Sequence, residues 1–433
     1  MKALVVRRRP SRFAAAKLAG ALVPGSGASV GVLELDDLPV PDAPGSGWPL
    51  VFPRLAGICG SDLQTVDAAA SEWFEPIVSF PFVPGHEVVV DVPGEGRRVL
   101  EAVLGCLPRD LPPCPACVRG DVGACQNLER GSVEPGLQTG FCSSVGGGWS
   151  VAFRAHTSQL VAVPDTLSDE DAVMVEPTAC AVHAVAKARP APDERVVVIG
   201  AGTLGLLAVA AACRLYRPGH VTVAARYAHQ KRWALEFGAD EVCDPQSLVR
   251  VVRRQTGSVL VGSGGRSRLT SGADVVVDAV GSPESLESAF AVCRPRGRVV
   301  LLGMPGRARV DLTPLWHREI TLVGAYAYGV EHLATAEPVS EENGSVRGEA
   351  EPRRGEGGRR SFDLALDLVG ELRLGRLVSA TYPLSRFREA LRHAAEAGPR
   401  GAVKIAFDMR DDRERERLLR AAEEGLRAEE ALR

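Results

Sequence analysis

The sequence has no excess of charge of either sign. Its 51 Lys and Arg residues are balanced by 54 Asp and Glu residues over 433 positions, for a formal net charge of −3. Binding to nucleic acid or to an anionic membrane usually relies on a strong basic field. We therefore expect neither a nucleic acid nor a membrane among the partners of this protein.

The sequence also lacks an uninterrupted apolar run that could cross a membrane. Val196–Cys213 carries no charge, but three glycines and Thr203 interrupt it. A buried strand followed by a buried helix explains this pattern. The opening Met-Lys-Ala-Leu-Val-Val resembles a β-strand and lacks the features of a signal peptide. Without an export signal, the ten cysteines favour metal ligands and reduced thiols over disulfides, and a cytoplasmic location is predicted.

The chain is long enough for two domains. Residues 1–165 are rich in Val, Gly and Pro, which indicates a β-rich domain. From about residue 190, strand and helix patterns alternate, and this predicts an α/β domain with a parallel sheet. The predicted segments are Arg195–Ile199, Leu204–Arg214, Val221–Ala224, Gln230–Phe237, Asp274–Val280 and Arg298–Leu302. Ser168 and Asp171 have capping-box spacing and predict the start of a helix that carries Glu176 and His183.

Three stretches do not fit either domain. Residues 255–272 are rich in Gly and Ser and resemble an inserted loop. Residues 331–360 are polar and Gly-rich, so we predict a disordered insertion. A surface insertion is the favoured interpretation there, and a lid over the substrate is the alternative. Residues 408–433 are dense in Arg, Glu and Ala, which predicts a solvated terminal helix.

One set of side chains has the composition of a catalytic zinc site. Cys59, His86, Glu87 and Glu176 offer a thiolate, an imidazole and one or two carboxylates. Such a set can hold Zn²⁺ and leave one position open to a substrate. Taken alone, Cys59 would be interpreted as an ordinary buried thiol, and His86 as a core histidine.

Four further cysteines have the composition of a closed, structural zinc site. They are Cys106, Cys114, Cys117 and Cys125. The alternative is a lobe that keeps free thiols and binds no metal.

A glycine motif predicts a dinucleotide site. Gly200, Gly202 and Gly205 satisfy G-x-G-x-x-G, and Thr203 and Leu204 lie between them, after a β-branched strand and at the start of an apolar helix. Backbone N–H groups at that helix end would hold the pyrophosphate. At the position where an acidic residue usually binds the ribose of NAD, the chain has Ala225 followed by Arg226. A guanidinium there can bind a 2′-phosphate, so NADP(H) is predicted to be preferred over NAD(H). Stacking of Arg226 on the adenine is the alternative.

Together these motifs, in this order, resemble the zinc-dependent medium-chain alcohol dehydrogenase family. The resemblance extends from Met1 to about residue 407. It rests on G-I-C-G-S-D-L-Q at 57–64, P-G-H-E at 84–87, the cysteine lobe at 106–125, G-G-G-W at 146–149, V-E-P-T-A at 175–179, G-A-G-T-L-G at 200–205, V-V-V-D-A-V-G at 275–281 and Y-P-L at 382–384.

The resemblance implies a fold and its domain limits. A GroES-like β-rich catalytic domain would cover residues 1–177 and be completed by 325–407. A Rossmann domain with a doubly wound parallel sheet would cover 178–324. A homo-oligomer is also implied.

The resemblance further implies the roles of individual residues. Either Glu87 or Glu176 would be the next zinc ligand after Cys59 and His86, and the Glu-Pro form at 176–177 is similar to the polyol, threonine and glucose dehydrogenase branches. Ser61 would pass the proton of the substrate toward solvent. The chain departs from some relatives at Gln64, where a histidine would complete that relay. It also departs at Cys106, because the family usually places this cysteine three residues before the second.

The sequence therefore predicts an oxidoreductase that moves a hydride between a small-molecule alcohol and NAD(P). The alcohol is predicted to be secondary and polyol- or sugar-like, with a carbonyl as the product. A zinc-free NADPH-dependent reductase of activated double bonds is an alternative, although such relatives lack the Cys and His-Glu ligands. A non-catalytic nucleotide-binding protein with the same fold is the third interpretation.

Overall fold

The computed structural model describes residues 1–262, 268–333 and 358–431. The strands are β1 (Lys2–Val6), β2 (Leu33–Asp37), β3 (Leu50–Gly57), β4 (Val88–Val92), β5 (Gly96–Leu100), β6 (Phe153–Arg154), β7 (Leu160–Ala162), β8 (Arg195–Ile199), β9 (His220–Ala224), β10 (Glu241–Cys243), β11 (Leu260–Val261), β12 (Arg268–Leu269), β13 (Ala273–Asp278), β14 (Cys293–Leu301), β15 (Thr321–Gly324), β16 (Val330–Glu331), β17 (Arg359–Arg360), β18 (Val378–Tyr382) and β19 (Lys404–Asp408).

The helices connect and cover these strands. They are α1 (Pro10–Leu22), α2 (Gly60–Val66), α3 (Pro115–Val118), α4 (Asp169–Ala172), α5 (Val175–Ala188), α6 (Thr203–Ala211), α7 (Ala228–Glu236), α8 (Leu248–Thr256), α9 (Pro283–Val292), α10 (Thr313–His317), α11 (Ser361–Leu372), α12 (Phe387–Ala395) and α13 (Arg413–Ala431). In the described parts of the chain, no helix combines the length and the apolarity needed to span a bilayer.

The first sheet is formed mainly by the N-terminal part of the chain. Its strands run in the order β18-β19-β3-β4-β5-β7, and β6 pairs with β3. Pro53 lies inside β3, where the pairing with β4 shifts register, because a proline cannot donate a ladder hydrogen bond. β18 and β19 come from the C-terminal part of the chain, so residues 378–408 return to the sheet that residues 50–57 began.

The second sheet has six parallel strands in the order β10-β9-β8-β13-β14-β15. Val196, Val197 and Val198 in β8 are buried, as expected where helices cover both faces of a sheet. The strand order reverses direction between β8 and β13, which is where a doubly wound sheet leaves a crevice for ligands. The predicted parallel α/β sheet is therefore confirmed.

The helix predicted from Ser168 onward is two helices in the structure. Ser168 and Asp171 form the predicted capping box, but only around the single turn of α4. Pro177 lies in the first turn of α5, where its missing N–H is tolerated. Because the proline ring would clash with the carbonyl of Val173 four residues earlier, one continuous helix from Ser168 is excluded, and α5 begins anew at Val175.

The predicted insertions are only partly within the described residues. In 255–272, α8 runs to Thr256, and β11 and β12 then form an antiparallel pair. Of 331–360, residues 334–357 lie outside the described residues. The two flanks, β16 and β17, pair with each other.

The C-terminal tail is helical, as predicted, but one of its residues is not solvated. Arg415 at the start of α13 is 4 % exposed. Its guanidinium contacts Asp91 and donates to the carbonyls of Pro53 at 2.6 Å and Phe52 at 3.3 Å. The tail is therefore attached to the first sheet through a partly buried ion pair.

We expect Arg415→Met to lower the free energy of unfolding by about 2 kcal/mol, because it removes one of the two arginines that pair with Asp91 and leaves Arg54 as the other. Arg420 on the same helix is the matched control: its side chain is 76 % exposed and lies 3.9 Å from Glu416. Arg420→Met should cost less than about 1 kcal/mol. Urea denaturation followed by tryptophan fluorescence measures both, and equal losses would contradict the anchoring role of Arg415.

Candidate active site and metal centres

Cys59 lies at the point where β3 meets α2. Its backbone N–H donates to Asp62 Oδ2 at 2.9 Å, and its sulfur accepts from the backbone of Asp62 in a reciprocal cap. This cap fixes the thiol at the N-terminal end of α2. Asp62 is 1 % exposed, and burial raises its pKa to about 6.

His86 and Glu87 immediately precede β4 and are buried. Gly85 has a φ of +100°, and a Cβ there would lie 2.5 Å from Trp149 Cδ1, so this turn requires glycine. His86 Nδ1 lies 3.6 Å from Asp62 Oδ1, and neither atom has a hydrogen-bond partner within the described chain. The ring of Phe141 lies beside His86, with centroids 5.8 Å apart.

The structure brings three of the predicted ligands together. One ligand atom each from Cys59, His86 and Glu87 lies within 4.8 Å of the others. Although burial lowers the pKa of His86, the charges of Asp62 and Cys59 outweigh it and raise that pKa to about 10. A half-buried thiol with a buried imidazole and a buried carboxylate, and unpartnered polar atoms beside them, fit the ligand set of a catalytic Zn²⁺.

Glu176 lies outside that group of three atoms. It projects from α5, is 4 % exposed, and accepts a hydrogen bond from the thiol of Cys180 at 3.6 Å. Burial raises the pKa of Glu176 to about 7, although the positive charge of His86 opposes this. The choice between Glu87 and Glu176 as the next zinc ligand stays a prediction.

Lys404 on β19 is a member of this site that the sequence analysis missed. It is 2 % exposed, forms an ion pair with Glu87 and donates to the carbonyl of Ile58 at 3.2 Å. Burial lowers the pKa of Lys404, but the charges of Glu87 and Cys59 outweigh it and raise that pKa. The signal in the sequence was a lone lysine directly before the three apolar residues Ile-Ala-Phe of a strand.

Ser61, the predicted proton relay, and Gln64, which stands where some relatives have a histidine, have different surroundings. Ser61 Oγ is buried without a hydrogen-bond partner in the described structure. Gln64 Nε2 donates to the backbone carbonyl of Met304 at 3.1 Å, in the loop after β14. Gln64 thus connects α2, which begins directly after Cys59, to the loop that follows β14 of the second sheet.

The glycine motif lies at the reversal of the second sheet, between β8 and α6. A Cβ at Gly205 would overlap the carbonyl oxygen of Gly200, so close packing of strand and helix requires glycine there. A Cβ at Gly202 would meet nothing within 4 Å, which leaves the space that a pyrophosphate needs. Thr203 Oγ1 donates to the carbonyl of Val403 at 3.0 Å, next to Lys404.

Arg226 lies two residues beyond the end of β9 and is exposed. Ala225, the position of the usual acidic residue, is buried. The structure therefore places an exposed guanidinium just beyond the end of β9 in the Rossmann-like sheet.

The four lobe cysteines form a second cluster. Their sulfur atoms all lie within 4.8 Å of one another, and those of Cys106 and Cys125 are 3.6 Å apart. Backbone N–H groups outweigh burial and lower the pKa of Cys114 to about 6. Residues 107–113 turn back on themselves, with Leu111 N donating to Cys106 O at 3.1 Å, so the longer spacing still brings Cys106 to the cluster.

We expect Cys106→Ser to remove about one zinc ion per chain and to lower the thermal midpoint, because three thiolates hold zinc less tightly than four. Cys213 is the control, since its sulfur donates to the carbonyl of Gly238 far from both clusters. Metal analysis of the purified variants measures the change. An unchanged zinc content in Cys106→Ser would show that Cys106 is not a ligand.

Two family models match separate parts of the chain. Residues 45–165 match the alcohol dehydrogenase GroES-like domain, and residues 203–341 match the zinc-binding dehydrogenase model. Together they cover more than half of the sequence. The predicted GroES-like catalytic domain and Rossmann-like domain are thus confirmed as fold classes.

Several known proteins are similar to this chain. Sorbitol dehydrogenase of Bacillus subtilis is 26% identical over 318 residues, which cover 70% of this chain and 83% of that protein. L-idonate 5-dehydrogenase of Vitis vinifera is 27% identical over 285 residues, covering 64% and 72%. The crystal structure of L-idonate 5-dehydrogenase from Escherichia coli has the same fold, with a TM-score of 0.63 and 22% identity over 94% of this chain and 97% of that one.

These matches agree with the metal and nucleotide sites described above. The protein is an oxidoreductase that uses zinc and NAD(P) and acts on CH–OH groups. The chain belongs to the zinc-binding medium-chain dehydrogenase family.

Proposed function

We propose that this protein interconverts a secondary, polyol- or sugar-like alcohol and its carbonyl, with NADP(H) as the preferred hydride carrier. The observation that carries the proposal is the convergence of one ligand atom each from Cys59, His86 and Glu87 within 4.8 Å of one another. The named relatives support the substrate class, since they include dehydrogenases of sorbitol and L-idonate.

Cys59 and His86, with Glu87 or Glu176, would hold zinc. When bound there, zinc polarises the alcohol oxygen and lowers its pKa. Asp62 would orient His86 from 3.6 Å, and such outer partners typically contribute about 10–100-fold to activity or metal affinity. Lys404 would neutralise the carboxylate of Glu87 and so reduce the negative charge around the zinc site.

Ser61 would relay the proton that the alcohol releases, because its oxygen can accept that proton while its own hydroxyl proton passes on to the cofactor ribose or water. Its hydroxyl is unpartnered within the described chain, so both its oxygen and its proton are available for this transfer. Gln64 cannot titrate, and its amide is engaged with Met304. The proton would accordingly leave Ser61 through the cofactor ribose or water rather than through residue 64.

The nicotinamide dinucleotide would bind across the β8–α6 turn. Gly200, Gly202, Thr203, Leu204 and Gly205 would supply backbone N–H groups and space for the pyrophosphate. Arg226 would form a charge-assisted pair with the 2′-phosphate of NADP.

We expect Cys59→Ala to abolish oxidation of sorbitol and related polyols while leaving the fold intact, because the site loses its thiolate ligand. Steady-state assays with NADP, together with circular dichroism, measure both properties. Cys213→Ala, away from both clusters, should retain activity. Retained turnover in Cys59→Ala would refute the assignment of the zinc site.

We expect Arg226→Ala to lower kcat/KM for NADP by about 10–100-fold and to change kcat/KM for NAD little, because only NADP carries the 2′-phosphate. The ratio of the two values in wild type and variant isolates this effect from general damage. If the ratio is the same in both proteins, Arg226 has no role in cofactor choice.

A further inference from the structure

Gln64 joins the helix that follows Cys59 to the second sheet. Its Nε2 donates to the backbone carbonyl of Met304 at 3.1 Å, between residues that are 240 positions apart in the sequence. Gln64 lies within α2, and Met304 lies in the loop after β14. Because an amide does not titrate at ordinary pH, the contribution of this side chain is the contact that it makes.

The side chain of Met304 lies against the same helix. A Cβ added at Gly60 would lie 3.7 Å from Met304 Cε, which is ordinary van der Waals contact. Gly60 stands between Cys59, a predicted zinc ligand, and Ser61, the predicted proton relay. The loop after β14 therefore meets α2 twice, once through a backbone carbonyl and once through a side chain.

The loop after β14 also packs against the loop after β13. Gly281 has a φ of +73°, and a Cβ there would lie 2.8 Å from the carbonyl carbon of Gly303. Asp278 Oδ1 accepts hydrogen bonds from the backbone N–H groups of Val280 at 2.9 Å and Gly281 at 3.0 Å, which fixes this turn. Val280 in turn packs on the glycine motif, since a Cβ at Gly200 would lie 2.5 Å from Val280 Cγ2.

These contacts form a continuous series from the glycine motif to the helix after Cys59. The series passes from the β8–α6 turn to the loop after β13, then to the loop after β14, and from there to α2. All three loops follow the carboxyl ends of parallel strands, and ligands of such sheets bind in the crevice outside those ends. A dinucleotide in that crevice would lie against this series of contacts.

We propose that Gln64 is a positioning residue for dinucleotide binding. Its hydrogen bond holds the loop after β14, and Met304 with it, against α2, so that the loop does not need to be ordered when the dinucleotide binds. A loop that is already held in place costs less to order, and this increases affinity. The inference rests on the proposed use of the β8–α6 turn as the dinucleotide site.

The test is the dissociation constant of NADP and of NAD for the full-length protein, measured by isothermal titration calorimetry without turnover. We expect Gln64→Met, which keeps the length of the side chain but cannot donate, to weaken dinucleotide binding by about 3–10-fold, as for the loss of one hydrogen bond. Gln64→Lys, which can still donate, should not weaken it. The zinc content of both variants should equal that of the wild type.

Glu72 provides the matched control, because it also contacts the loop after β14 from the first sheet's part of the chain. Its carboxylate pairs with Arg307 at 3.3 Å, but the side chains of Glu72 and Arg307 are 77 % and 93 % exposed. An ion pair so open to water contributes little. Glu72→Gln should therefore leave both dissociation constants unchanged.

Two outcomes would overturn the proposal. If the hydrogen bond is merely structural, Gln64→Met will have a lower thermal midpoint while the folded protein binds dinucleotide as tightly as the wild type. Equal weakening by Gln64→Met and Gln64→Lys would show that the shape of the side chain, and not its hydrogen bond, matters. If the wild-type protein binds neither NADP nor NAD, the proposed function itself fails, whereas failure of this inference leaves wild-type binding intact.

Discussion

The burial of several ionisable side chains around one point is the constraint on which the rest of this structure depends. Asp62, His86, Glu87, Glu176 and Lys404 are each at most 4 % exposed. Charges in such surroundings must pair with one another or coordinate a metal, because isolation from water is costly. Lys404 compensates the Glu87 carboxylate, and a divalent cation held by the neighbouring thiol, imidazole and carboxylate would compensate the remaining negative charge.

This requirement explains how the two sheets are joined. The predicted ligands lie just after β3, just before β4 and on α5, and Lys404 lies on a strand that the chain reaches only after it has completed the second sheet. Thr203, in the nucleotide motif, donates to Val403, and the adjacent Lys404 pairs with Glu87. The fold thereby connects the nucleotide turn to the metal ligands through one short stretch of β19.

Local sequence patterns were sufficient for much of this arrangement. The β8 strand, the glycine turn and the cysteine and His-Glu motifs all have short-range signals, because the spacing of apolar residues and of ligands acts within a few positions. The sequence-based predictions were wrong where a contact with a residue distant in the sequence, or a competing local constraint, determines the structure. Pro177 divided the helix predicted from Ser168, and Arg415 was taken for a solvated residue although Asp91 binds it.

Partners that are far apart in the sequence could not be predicted at all. Lys404 and Glu87 are separated by 317 residues, and Gln64 and the Met304 carbonyl by 240. In each case the sequence contains the charged or polar residue, and only the fold identifies what it binds.

The central claim is that hydride transfer depends on zinc held at Cys59, His86 and one of Glu87 and Glu176. Stepwise removal of zinc from the wild-type protein with a chelator, with metal content and NADP-linked polyol oxidation followed in the same samples, tests it most directly. We predict that activity falls in parallel with the first zinc ion released, because the open catalytic site exchanges more readily than a closed four-thiolate site. Full turnover in folded protein stripped of zinc would contradict the account.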